Sequence, residues 1–181
     1  MRYLNMLLLA AALVTVQGCA GKHGVHTEDR RSAGTQLEDT QIEKKSQERI
    51  QEKYKDIAQV SITSYNRFVL ISGEALTEEA KTDIERIVRA VPNVKRTANE
   101  ILVGALANSS SRRADSHITG SIESALNKSI AIQAKTIRVS TERGVVYLLG
   151  LATHAEANAA TEIASTTAGV KKVVRVFEYI D

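Results

Sequence analysis

Stripes of buried-type residues at helical spacing open two stretches of the chain: Asp39, Ile42, Ser46 and Ile50, then Asp115, Ile118, Ile122 and Leu126, 76 positions later. Spacings of three and four place each set on one face of a helix. After each stripe come two strand-like apolar runs. Val60-Ser61-Ile62 matches Ile137-Arg138-Val139, and Phe68 to Gly73 matches Val145 to Gly150, now 77 positions apart because the second copy has one extra residue in the preceding loop. Tyr65-Asn66-Arg67 and Thr141-Glu142-Arg143-Gly144, between the runs, carry hairpin residues. Thr77 and Thr153 then read as N-caps of helices reaching Ala90 and Thr167. Pro92-Asn93-Val94-Lys95-Arg96 and Ala168-Gly169-Val170-Lys171-Lys172 end those helices and lead into a last strand.

The repeat predicts an α+β chain of two tandem modules, each helix-strand-strand-helix-strand with two helices on a three-stranded sheet. Its expected limits are residues 37–103 and 113–181, with 104–112 as linker. Ile71 and Val94 in the first copy, and Leu148 and Val170 in the second, are the expected core. Gly73 and Gly150 are expected to end strands, where a small residue lets the chain turn. Two helices cover only one face of such a sheet, so the other must be solvated, pack on the sister module or meet a partner.

Ahead of the repeat, Arg2 precedes an apolar run from Leu7 to Val16 that ends in Val16-Gln17-Gly18-Cys19. This run is short for a membrane span and has the layout of a secretory signal over residues 1–18. Residues 19–36, rich in Gly, Ser and charge, read as a flexible tether. His23 and His26 within it are too sparse to suggest a metal site.

Composition narrows the chemistry. The 181 residues contain one Cys, so disulfide scaffolds and Cys-rich zinc sites are excluded. With 24 Lys and Arg against 21 Asp and Glu and no Trp, the chain lacks both the charge and the stacking aromatics of a nucleic-acid binder. No nucleophile elbow, P-loop, dinucleotide fingerprint or paired-His zinc helix is present, which predicts a non-enzymatic protein with no cofactor, no metal and no small-molecule substrate. His117 and His154, near helix starts, are expected to bond locally. Charge is uneven between the copies: residues 36–103 hold 11 basic and 12 acidic side chains, residues 112–181 hold 9 and 7. Arg112 and Arg113 precede the stripe that starts at Asp115, Lys128 follows it, and the apolar Ile130 and Ile132 come next.

Val16-Gln17-Gly18-Cys19 resembles a bacterial lipobox, in which the Cys is diacylglycerol-modified and becomes the acylated N-terminus. Gly150 and Gly169-Val170-Lys171-Lys172-Val173-Val174 resemble the BON domain of bacterial envelope proteins, and Gly73 with Val94-Lys95 carries the likeness into the first copy. Two such modules behind a lipobox resemble the outer-membrane lipoproteins related to the division and outer-membrane stress-associated lipid-binding protein. The resemblance implies lipidation at Cys19 and, with Ala20 rather than Asp after it, the periplasmic face of the outer membrane. It also implies support of envelope integrity through anionic phospholipid bound by the first helix of the second module, for which Arg112, Arg113 and Lys128 are the candidate contacts. The family contact includes an aromatic side chain, and this chain has none between Phe68 and Tyr147. The alternative is a tethered adaptor that docks an envelope assembly, secretion or peptidoglycan-remodelling complex.

Overall fold

A computed structural model describes residues 29–181; the signal segment, Cys19, His23 and His26 lie outside the described residues. The first module runs α1 (Ala33–Tyr54), β1 (Ala58–Tyr65), β2 (Phe68–Ala75), α2 (Glu78–Arg89) and β3 (Arg96–Val103). The second repeats it as α3 (Ser109–Lys128), β4 (Ile137–Glu142), β5 (Val145–Ala152), α4 (His154–Ser165) and β6 (Lys172–Tyr179), with a short 3-10 turn at Ala134–Thr136 before β4. This is the α+β duplication expected from the repeat.

In each module the central strand pairs antiparallel with the strand before it and parallel with the strand after it. The hairpins turn on two residues with positive φ, Asn66 (53°) and Arg67 (66°) in one copy, Arg143 (51°) and Gly144 (79°) in the other. That is the backbone a two-residue hairpin needs to match strand twist. The parallel crossovers are the helices capped by Thr77 and Thr153, whose hydroxyls accept from the N–H of Ala80 and Glu156. Beyond each helix, Asn93 (72°) and Gly169 (91°) occupy the same left-handed position, so Asn serves where the second copy has Gly.

The helical stripes are the buried faces of α1 and α3, residue for residue. They pack, with Ile84 and Val88 of α2 or Ala157, Ala160 and Ala164 of α4, on Val69, Ile71 and Ala75 or on Val146, Leu148 and Ala152. Val94 and Val170 are partly buried at the edges of these cores.

Three boundaries and roles differ from the sequence reading. Helix α1 starts at Ala33, four residues before the expected module edge, because Ser32 caps it and Arg31 is fixed in the core network described below. Helix α3 starts at Ser109, inside the expected linker, because Asn108 caps it by accepting from Ser111 N–H at 2.9 Å. Gly73 and Gly150 do not end strands but sit within β2 and β5. There a Cβ would lie 2.2 Å from the Gln59 carbonyl oxygen or 2.0 Å from that of Thr136, so the absence of a side chain lets the neighbouring strand cross close.

The second sheet faces meet each other. Tyr65 and Leu70 of the first module interlock with Tyr147, Leu149 and Val176 of the second in a third apolar cluster. Period-two alternation along β2 and β5 sends one set of side chains to the helices and the other to this seam, which is why β5 and the first four residues of β2 are apolar at every position.

Candidate functional site

With Asp115, Ile118, Ile122 and Leu126 turned inward, α3 exposes Arg112, Arg113, Glu123 and Lys128, three cations against one anion. Fifteen residues at a rise of about 1.5 Å put Arg113 and Lys128 roughly 22 Å apart. Among the described residues neither makes a side-chain hydrogen bond or ion pair, so both charges face solvent. Arg112 is committed elsewhere: it donates to Gln59 Oε1 at 2.8 Å and to the Ala107 carbonyl at 2.6 Å. Two of the three candidate cations are therefore free on one helix, and the third belongs to the module seam. Past the helix end the two isoleucines separate, Ile132 entering the core and Ile130 standing 88% exposed.

The Arg112 end opens on a cleft of about 740 Å³ between the modules, lined by α1, β1, Glu74 and Glu142. Glu74 is buried on the seam side of β2, where it accepts from Arg143 Nε at 2.7 Å and from Ala107 N–H at 3.3 Å. Ser72 donates to Glu142 across the seam at 3.2 Å and lies 3.3 Å from the Ser140 hydroxyl. Burial first, and then the neighbouring Glu74 carboxylate, push the Glu142 carboxyl up to about 7. A carboxyl whose folded pKa is raised stabilises the fold while protonated, and that contribution is lost as pH rises from the ordinary carboxylate range through about 7. The melting temperature of the native chain should thus fall, relative to Glu142→Gln, between pH 5 and pH 8. Parallel melting curves for the two proteins over that window would show that Glu142 ionises freely.

Asp39 and Asp115, the first residues of the two stripes, clamp the hairpins. Asp39 accepts from Asn66 N–H and Arg67 N–H at 2.9 and 2.7 Å, and Asp115 from Arg143 N–H and Gly144 N–H at 2.9 and 2.8 Å. A carboxylate in an otherwise apolar stripe was the available signal for this role. Glu74 and Glu142 gave no such signal, because each stands near a strand end, where the sequence alone reads a carboxylate as solvent-facing. His154 does not bond locally but meets Asp181 Oδ1, 27 positions away, at 2.7 Å, and stacks on Tyr179 with centroids 4.0 Å apart; His117 is exposed. No group of three or more His, Cys, Asp or Glu is placed to hold a metal among the described residues, and no described helix is long and apolar enough to cross a membrane.

Comparison with known proteins gives two matches to the BON domain, at residues 38–105 and 114–181. The chain is 31% identical over 186 residues to the outer membrane lipoprotein DolP of Haemophilus influenzae, covering 98% of this chain and 96% of that protein. It is 34% identical over 162 residues to the 21 kDa hemolysin of Actinobacillus pleuropneumoniae, covering 87% of this chain and 84% of that one. Among solved structures, the C-terminal domain of CdsD, a structural protein of the type III secretion system of Chlamydia trachomatis, aligns over 74% of this chain and 95% of that one at 11% identity and a TM-score of 0.32, a likeness too low to bear on function.

Proposed function

The chain belongs to the BON-domain family, with two modules in tandem, and on that premise we propose that it is a non-catalytic lipoprotein of the outer membrane. Cys19 carries the acyl anchor at the periplasmic face, and the second module supports envelope integrity by binding anionic phospholipid such as phosphatidylglycerol or cardiolipin. The likeness to an outer membrane lipoprotein along nearly the whole chain supports the location. The observation that carries the lipid reading is α3 itself: Arg113 and Lys128 unpaired on its exposed side, with exposed Ile130 just beyond. Each cation near an anionic surface contributes on the order of 1 kcal/mol, and one aliphatic side chain at the headgroup level adds a shallow apolar contact.

Flotation of the unlipidated chain starting at Ala20, without Cys19, with vesicles containing phosphatidylglycerol tests this directly. Binding should weaken with salt, since exposed charges are screened over about 8 Å at physiological ionic strength, and Arg113→Glu combined with Lys128→Glu should abolish it without altering the melt. Arg112→Glu instead should lower stability, because it removes the bonds to Gln59 and Ala107 beside two carboxylates. A native chain that ignores anionic vesicles at low salt would end the lipid reading. The second reading, a tethered protein-docking adaptor, has its own support at the far end of the first sheet, where Leu76, Leu102 and Val103 are 46%, 40% and 40% exposed.

A further inference from the structure

The residues that lead into α1 are fastened to both modules. Arg31, whose side chain is only 4% exposed, is gripped by Asp29 through Nε at 3.0 Å and Nη2 at 2.7 Å, and by Asp39 at 2.8 Å. Its guanidinium lies over the Tyr65 ring, 3.8 Å from the centroid, while the Tyr65 hydroxyl donates to Asp29 at 2.8 Å. Tyr65 is itself a seam residue. One position earlier the chain crosses to the other module: Arg30 holds Glu156 with two bonds, at 2.8 and 2.9 Å, and donates to the Leu151 carbonyl at 2.7 Å. The link to the second module is a bidentate guanidinium–carboxylate pair, which fixes direction as well as position; the link to the first is the buried bond to Asp39 together with the Tyr65 contacts. Asp29 is therefore held at one defined point on the folded body.

That point adjoins the C-terminal end of α3. Asp29 and Gln36 share a cleft of about 660 Å³ with Glu123, Asn127, Lys135 and Arg138. The opposite end of the body is far away. Helix α1 has 22 residues, about 33 Å at 1.5 Å per residue, and its last turn lies beside Arg112 in the other cleft. Asp29 lies ten positions after Cys19. That stretch cannot exceed about 35 Å.

We infer that Asp29–Arg31 is a strap that sets the orientation of the body on its own membrane, turning the α3 C-terminal end, with Lys128, Ile130 and Lys135, toward the bilayer that holds the anchor. The inference rests on the lipid-anchor reading of Cys19. It adds that the tether, and not headgroup charge alone, selects the face presented, bringing Lys128 closest to the headgroups with Arg113 farther along the same helix, and leaving Lys55 at the end of α1 the more distant.

Two reporters separate the ends. With Cys19 occupied by lipid, a bimane on Asn127→Cys or on Lys55→Cys would be the sole thiol label, and both positions are exposed. The full lipoprotein would be reconstituted in neutral phosphatidylcholine vesicles containing doxyl-labelled lipid. Quenching at residue 127 should exceed that at residue 55 several-fold. Inserting twelve Gly and Ser residues between Glu28 and Asp29, outside the strap, raises the maximum reach to about 75 Å and should level the two signals while the melt stays unchanged. Equal quenching in the native chain overturns the inference, and so does an asymmetry that survives the insertion in neutral lipid. The underlying reading fails in a different way: an intact mass lacking the diacylglycerol, with no incorporation into vesicles, would remove the anchor. Recovery of the asymmetry by the lengthened chain only when phosphatidylglycerol is present would belong to α3 and its charge.

Discussion

Leu148→Ala should cost about 3 to 5 kcal/mol and melt both modules together. Leu148 is fully buried on the helix side of β5 and packs among Ile118, Ile122, Leu126 and the alanines of α4. Removing three carbons from such a site loses the transfer free energy and leaves a cavity whose cost depends on how far the surroundings collapse. Here they collapse little. Ala157, Ala160 and Ala164 have no side-chain torsions with which to fill the space, so the cost falls toward the upper part of the range. The next residues on the same strand, Tyr147 and Leu149, point to the seam and hold Tyr65 and Leu70. Loss of β5 therefore exposes the first sheet as well. Calorimetry of the native chain should give one transition, shifted down by Leu148→Ala and equally by Ile71→Ala at the corresponding position of the first module. Two resolved transitions, each moved by only one of the substitutions, would show that the seam does not join the cores.

Asp39→Ala should be as damaging, at about 3 to 5 kcal/mol, for an electrostatic reason. The carboxylate is 2% exposed and receives Arg31, the Ser64 hydroxyl and the two hairpin N–H groups of Asn66 and Arg67. Its removal leaves the almost fully buried Arg31 charge with Asp29 as its one remaining carboxylate and strips three further donors of their acceptor. Breaking a buried pair from one side carries a penalty of this size because the surviving charge is desolvated without compensation. Asp115 clamps the sister hairpin through two N–H groups but has no buried arginine. Asp115→Ala should cost clearly less, and urea melts would rank the pair. Equal losses, or a larger one at Asp115, would mean that Arg31 finds another partner and that its charge is not what makes the site costly.

The sister helix stripes, the paired strands, the two Thr caps and the hairpins were all legible in the sequence, because each depends on residues within a few positions of one another. Helical period three to four, strand period two and the local chemistry of caps and turns act through the nearest backbone, and duplication doubled the signal. The same locality misled at Asn108, where a run of small polar residues reads as linker until the side chain is seen to cap the helix. It misled again at Gly73 and Gly150, whose smallness answers to a carbonyl on the neighbouring strand.

The candidate site was legible only in part. Arg112, Arg113 and Lys128 are visible as charges around a helix, yet nothing near Arg112 in sequence says that it will bond Gln59, which lies 53 positions away. The pairing of Glu74 with Arg143, the raised carboxyl of Glu142 beside Glu74 and the grip of Arg30 on Glu156 likewise join residues from 68 to 126 positions apart. Such contacts are made by the packing of one sheet face on the other, and local pattern carries no information about that. By itself the sequence determined two copies of a module, the buried face of the first helix in each and the single cysteine ahead of them. Only the tertiary structure decided that the two uncovered sheet faces would cover each other. Burying both apolar faces required a shared seam, and the seam then brought charged residues of different modules within bonding distance and let Arg30 and Arg31 bond to both.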